Sequence, residues 1–142
     1  MRIQRTVDTS AGPGDVFAYL SDFTTTKEWD PGTVDTTRVS GDGGVGTTYR
    51  NVSSFLGRKT ELTYTVTTHE PDRLFALRGE NKTVVAHDTM EIAARGDGAR
   101  VTYTAEFDFQ GLARFVGQLL SPALKKLGDD AEEGLRTALG RL

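Results

Sequence analysis

The stretch that decides the fold is residues 112–142, which read LARFVGQLLSPALKKLGDDAEEGLRTALGRL. Apolar residues recur along it at helical spacing and fall on one broad side, as in a helix that packs against a core. Ser121-Pro122 interrupts the pattern, because Ser is a good N-cap and Pro a good first helical residue. We therefore expect a lead-in turn, then a main helix of about 20 residues, or about 30 Å.

The residues before this stretch have the pattern of strands separated by turns. In residues 59–70, Leu62, Tyr64 and Val66 alternate with polar residues, which is the period of a strand with one buried face. Similar stretches predict seven strands, over residues 2–9, 34–39, 47–55, 59–70, 73–78, 83–94 and 99–110. The turns between them favour antiparallel pairing, and a sheet beside a single apolar helix must wrap that helix to bury it.

Two short helices are expected between the first two strands. Residues 13–21 begin with Pro and carry an apolar stripe, and residues 24–28 follow Asp22, a good N-cap. The sequence therefore predicts an α+β fold, and the length of 142 residues corresponds to one domain over residues 1–142.

The composition excludes several classes of protein. The net charge is -3 and no basic stripe is present, so we expect no nucleic-acid partner. The absence of Cys excludes disulfides, a thiolate nucleophile and zinc sites built on Cys. His69 and His87 have no metal-ligand spacing, so no metal and no cofactor are expected and both side chains are predicted to face solvent. No apolar run is long enough to span a membrane and the N-terminus lacks a signal-peptide pattern, so a cytoplasmic protein is expected.

The glycines at 41, 43 and 46 match the dinucleotide-binding pattern G-x-G-x-x-G. That function needs a helix directly after the glycines, because the helix N-terminus holds the pyrophosphate. Residues 47–50 read instead as a strand, so this segment is predicted to be a loop between strands.

The order of these elements resembles that of the START-like superfamily, in particular its polyketide cyclase/dehydrase and lipid-transport group. Four local sequences are similar to that family: PGDVFAYLSDF at 13–23, WDPG at 29–32, GVGT at 44–47 and GDGARVTY at 96–103. The resemblance covers essentially the whole chain. It implies a helix-grip fold, in which a curved seven-stranded antiparallel sheet wraps a long C-terminal helix and leaves a cavity for apolar small molecules.

The resemblance leaves the function open between three classes. The leading expectation is the binding or carriage of an apolar or aromatic small molecule, such as a lipid or a polyketide. A cyclase/dehydratase-type enzyme is the first alternative, and a regulator that acts through a protein partner is the second. A monomer and a homodimer are both compatible with the sequence.

Two ionisable residues interrupt apolar strand faces. Asp88 shares the inward parity of Ala86 and Met90, and Arg5 lies between apolar neighbours on the first strand. In the resembled fold the first and last strands pair and the sixth lies next to the last, so Arg5 is expected to reach Asp88. The pair is either a buried structural ion pair or a polar anchor for a ligand, and Asp88 is the candidate catalytic acid or base.

The expected cavity lining follows from strand parity, from the apolar side of the C-terminal helix and from the resemblance, which places Trp29 near the entrance. The same residues could equally form a solid core. The predicted ligand-binding residues are Arg5, Trp29, Tyr49, Asn51, Tyr64, Asp88, Met90, Tyr103, Phe107, Phe115 and Leu119.

Overall fold

The structure, a computed structural model, describes residues 1–142 apart from the side chain of Gln118. All seven predicted strands are present, as β1 Arg2–Thr9, β2 Thr33–Ser40, β3 Thr48–Phe55, β4 Arg58–Glu70, β5 Leu74–Glu80, β6 Val84–Arg95 and β7 Gly98–Phe109. The helices are α1 Pro13–Leu20, α2 Thr26–Trp29, α3 Ala113–Gly117 and α4 Ser121–Leu139, with 3₁₀ turns at Phe23–Thr25 and Gln118–Leu120. The α+β helix-grip prediction is confirmed.

The strands form one antiparallel sheet in the order β1-β7-β6-β5-β4-β3-β2. Each strand from β2 to β7 lies beside its neighbours in sequence, and β1 closes the order by pairing with β7, where Arg5 lies opposite Tyr103. In the next pair Asp88 of β6 lies opposite Ala105 of β7. Asp88, Tyr103 and Ala105 are all buried, so this central part of the sheet faces the helices.

The helix starts differ in detail from the predicted ones. Asp22 does act as an N-cap, since its Oδ1 accepts a hydrogen bond from the backbone N–H of Thr24 at 3.1 Å. The segment that follows is a 3₁₀ turn, and α2 begins only at Thr26. The prediction that Ser121 caps the main helix is wrong: Ser121 is its first residue, and the cap position is Leu120. Among the described residues, no helix combines the length and apolarity needed to cross a membrane.

A close approach between β4 and β5 fixes an aromatic ring on the inner face of the sheet. Gly79 lies opposite Tyr64, and a Cβ at residue 79 would stand 2.6 Å from Cε1 of the tyrosine. The missing side chain therefore leaves room for the Tyr64 ring to lie flat over the neighbouring strand. On its other side the ring contacts Phe23, with 4.9 Å between the centroids.

A second close approach joins α4 to α2. A Cβ at Gly134 would lie 1.8 Å from the carbonyl oxygen of Trp29, so only glycine permits the observed distance between the two helices. Trp29 itself is 2% exposed and belongs to the hydrophobic core. The contact thus holds a large aromatic side chain at the centre of the molecule.

We expect the substitution Gly134→Ala to destabilise the fold, because the added methyl group forces α4 away from Trp29. Overpacking a tight contact costs on the order of 3 kcal/mol, and here that cost outweighs the gain in helix propensity. Gly14→Ala is the matched control, because Gly14 is exposed on α1 and its new Cβ would come no closer than 3.7 Å to Asp72. The free energy of unfolding in urea should drop for the first variant and stay level or rise for the control. Equal effects would contradict this account of the helix contact.

Candidate ligand-binding site

A cavity of about 390 Å³ lies between the inner face of the sheet and helices α2, α3 and α4. This volume is within the range of small-molecule sites. Most of its lining is apolar or aromatic, and comprises Ile3, Phe23, Trp29, Phe55, Leu62, Tyr64, Val84, Tyr103, Ala105, Phe107, Phe109, Ala113, Val116, Leu120, Leu124, Leu127 and Ala131.

A larger and more open groove of about 690 Å³ lies on the surface between the end of α1 and the β2–β3 loop. Polar residues such as Asp22, Arg38 and Asp42 contribute to its walls. The glycine-rich segment forms this loop, and β3 follows it directly, as predicted. Because a small molecule gains most from enclosed apolar contact, the interior cavity is the better candidate site.

The two histidines lie away from the cavity lining. His87 is exposed, as predicted. His69 is only partly exposed, which corrects the prediction of a solvent-facing side chain, because its ring packs edge-on against Phe17 at 5.0 Å. In the part of the chain that the structure describes, no three His, Cys, Asp or Glu side chains cluster as metal ligands would.

One group of polar side chains in the cavity wall is satisfied within the protein. Asp30 accepts hydrogen bonds from the backbone N–H of Gly32 at 3.0 Å and from the Thr33 hydroxyl at 3.1 Å. Asn51 donates to the Thr36 hydroxyl at 2.8 Å and accepts from Ser53 at 2.7 Å. These groups anchor β2, β3 and the end of α2 to one another.

A second polar group in the wall is only partly satisfied. The Tyr103 hydroxyl donates to Oδ2 of Asp88 at 3.3 Å, and the Trp29 ring meets the Tyr103 ring edge-on with centroids 5.5 Å apart. Oδ1 of Asp88 and Nε1 of Trp29 are both buried, and neither has a hydrogen-bond partner among the described residues. Buried polar atoms of this kind are uncommon in folded proteins.

The cavity also shifts the protonation of Asp88. Burial raises its pKa to about 7, the negative charge of Asp30 acts in the same direction, and the hydrogen bond from Tyr103 opposes both. Burial likewise raises the pKa of Asp30, against the hydrogen bonds from Gly32 and Thr33. Asp88 therefore changes charge near neutral pH, unlike an aspartate in water.

The predicted pair of Arg5 and Asp88 is wrong. The Arg5 guanidinium instead binds Asp129 of α4 at 2.8 Å through Nη2, and the same nitrogen donates to the carbonyl of Lys125 at 3.3 Å. The helix passes close to β1 at Gly128, where a Cβ would lie 3.1 Å from Arg5 Nη2. The long side chain therefore meets a carboxylate on the helix before it can cross β7. Asp88 does face inward, as its parity predicted.

The structure brings six of the predicted binding residues into the wall of the cavity, namely Trp29, Asn51, Tyr64, Asp88, Tyr103 and Phe107. Their contact with a ligand stays a prediction. Trp29 lies in the interior rather than at an entrance, because α4 packs directly over its backbone.

The other five predicted residues lie outside the cavity wall. Arg5 is held by α4, while Tyr49 and Met90 are fully buried in the core. Phe115 and Leu119 are 65% and 79% exposed, because the segment is apolar all round and turns other residues inward. Their neighbours in sequence, Val116 and Leu120, line the cavity in their place.

The prediction also omitted lining residues that the sequence offers. Asp30 directly follows Trp29 in the WDPG sequence, and its place in that motif was the one available signal. Phe55 and Phe109 end their strands, where strand parity carries little weight.

The chain has recognisable relatives. A family model described as "Polyketide cyclase / dehydrase and lipid transport" matches residues 1–140. The crystal structure of Zhui aromatase/cyclase from Streptomyces sp. R1128 aligns with a TM-score of 0.83 and 13% identity, over 98% of this chain and 93% of that one. A START superfamily protein from Mycobacterium smegmatis gives 0.71 and 15%, over 97% and 93%. A protein from Thermus thermophilus gives 0.78 and 17%, over 98% and 95%. At these identities the structural matches show the fold alone. No curated protein sequence matches the chain.

The raised pKa of Asp88 predicts a specific dependence of stability on pH. From about pH 4 to pH 7 the folded protein keeps a proton on Asp88 that the unfolded chain releases, so stability falls as the pH rises through this window. The full effect is on the order of 4 kcal/mol. Asp88→Asn removes it while Asp30, Tyr64 and Tyr103 stay in place around the site. The free energy of unfolding of the wild type, relative to this variant, should therefore decrease between these pH values.

Asp97→Asn provides the control, because Asp97 is an exposed turn residue and its replacement makes the same change of charge. This variant should keep the pH dependence of the wild type. Parallel curves for the wild type and Asp88→Asn would contradict the raised pKa.

Proposed function

Because the chain belongs to the polyketide cyclase / dehydrase and lipid transport family, and because its fold encloses a largely apolar cavity, we propose that it binds or carries an apolar or aromatic small molecule. The observation that carries this proposal is the cavity of about 390 Å³ between the sheet and α4. A ligand there exchanges water for contact with side chains such as Phe23, Leu62 and Phe107. That exchange contributes about 25 cal/mol for each Å² of apolar surface removed from water.

The shape of the cavity also supports carriage. Val116 and Leu120, on α3 and the turn that follows it, lie on one wall, and Val116 is also exposed to solvent. A ligand that passes this segment would reach the interior without separating any strands of the sheet. The polar groups around Asp30 are satisfied by the protein itself, so they can stay in place while an apolar ligand enters or leaves.

We expect affinity to decrease in steps as the cavity is filled. Ala105 is buried in its wall, so Ala105→Val and Ala105→Phe should progressively weaken binding of the neutral apolar dye N-phenyl-1-naphthylamine. The larger substitution should lower affinity about tenfold or more, because it removes space that the ligand needs. Dye fluorescence measures the affinity.

Ala93→Phe is the matched control, because residue 93 is an exposed position of β6 and its replacement adds the same side chain. This variant should bind the dye as the wild type does. Equal affinities for Ala105→Phe and Ala93→Phe would place the dye outside the cavity.

A second candidate function is an enzyme of the cyclase/dehydratase type. The observation that favours it is Asp88, a buried cavity carboxyl group with a pKa of about 7 beside the Tyr103 hydroxyl. A group with this pKa can both accept and return a proton at neutral pH, as a general acid–base catalyst must. The structural match described as an aromatase/cyclase agrees with this alternative.

If the enzyme is the correct alternative, Asp88→Asn should abolish turnover of a linear poly-β-ketone and leave dye affinity nearly unchanged. A loss of that form identifies a group that acts in the transition state rather than in binding. Ring closure with loss of water can be followed by absorbance. Undiminished turnover in the variant would eliminate Asp88 as the catalyst.

A further inference from the structure

The cavity wall contains two polar atoms that the protein leaves without a partner. The indole N–H of Trp29 is a hydrogen-bond donor, and Oδ1 of Asp88 is an acceptor when the carboxyl group is ionised. Their residues are only 2% and 6% exposed, so bulk water does not compensate them. A buried polar atom without a partner lowers stability, and a ligand that supplies the partner recovers that loss.

The two atoms belong to one neighbourhood of the cavity. Both residues contact Tyr103, Trp29 through the edge of its ring and Asp88 through the tyrosine hydroxyl. All three residues line the same cavity, so one bound molecule can approach both atoms. The donor and the acceptor therefore form a single recognition site rather than two separate ones.

The charges of the wall restrict what can bind there. Asp30 and Asp88 are both acidic, and no Lys, Arg or His occurs among the described residues of the lining. Arg5 lies beyond the wall and is already paired with Asp129. A ligand carboxylate or sulfonate would meet like charges in a poorly solvated space, which is strongly unfavourable.

We propose that the cavity selects an uncharged apolar or aromatic molecule carrying a group that both accepts and donates a hydrogen bond, the simplest being a hydroxyl. The hydroxyl oxygen accepts from Nε1 of Trp29 and its hydrogen is donated to Oδ1 of Asp88. This inference rests on the proposed binding function and specifies its ligand class. A carboxylate cannot donate to Asp88, and an ammonium group cannot accept from Trp29, so each leaves one atom unsatisfied.

A series of ligands with the same rings tests the proposal. The compounds are 2-naphthol, 2-methylnaphthalene, 2-naphthoate and 2-naphthylmethylammonium, each used to displace N-phenyl-1-naphthylamine at about pH 8, where Asp88 is mostly ionised. We expect 2-naphthol to bind about tenfold more tightly than 2-methylnaphthalene, because it gains two hydrogen bonds in a buried site. 2-Naphthoate should bind the most weakly, and the ammonium compound should bind more weakly than the naphthol.

Substitutions in the protein assign the effect to the two atoms. Trp29→Phe and Asp88→Leu should each reduce the advantage of 2-naphthol over 2-methylnaphthalene, and two separate variants protect the test against a failure of one to fold. Asp88→Asn should keep much of that advantage, since it retains an acceptor oxygen, and should improve binding of 2-naphthoate by removing a negative charge. Asp97→Asn, in an exposed turn, should change none of these ratios.

The outcomes separate this inference from the proposed function. If the dye and 2-methylnaphthalene bind but 2-naphthol has no advantage, the inference is wrong and the apolar binding function stands. If 2-naphthoate or the ammonium compound binds most tightly, the inference is likewise overturned. If neither the dye nor any naphthalene binds, both fail together.

Discussion

The distance between α4 and the backbone of Trp29 is the constraint on which the rest of the structure depends. At Gly134 the two elements are so close that a Cβ would overlap the carbonyl oxygen of Trp29. At the other end of the contact region, Arg5 binds Asp129 and joins α4 to the edge strand β1. These two attachments set how far the helix stands from the sheet, and the space left between them is the cavity.

The same arrangement determines the electrostatics of the site. Trp29 and Asp88 are buried by the helices that pass over them, and the protein supplies only one hydrogen bond for the two, from Tyr103. Burial then raises the pKa of Asp88 to about 7. Asp30, which lies in the same wall, keeps its own hydrogen bonds but adds to the negative potential. A polar site without basic residues thus occurs inside an otherwise apolar space, which suits a neutral ligand with one polar group.

Strand parity and helix periodicity predicted much of the fold, and the inward orientation of Asp88 followed from parity alone. The partner of Arg5 could not be predicted in this way, because its contact with Asp129 depends on the rotation of α4 and its distance from β1. The orientation of Phe115 was also inaccessible, since neighbouring residues such as Val116 are apolar too and the pattern favours no single face. Local patterns specify which face of an element is buried only where the two faces differ in polarity.

The single tryptophan of the chain provides the most direct test of the central claim, that this cavity is a ligand site with Trp29 in its wall. In a ¹H–¹⁵N NMR spectrum its indole N–H gives one side-chain signal, which can be followed as 2-naphthol is added. The account predicts a saturable downfield shift of this proton, because the free N–H gains a hydrogen-bond acceptor. An indole signal that stays in place while the ligand binds would contradict it.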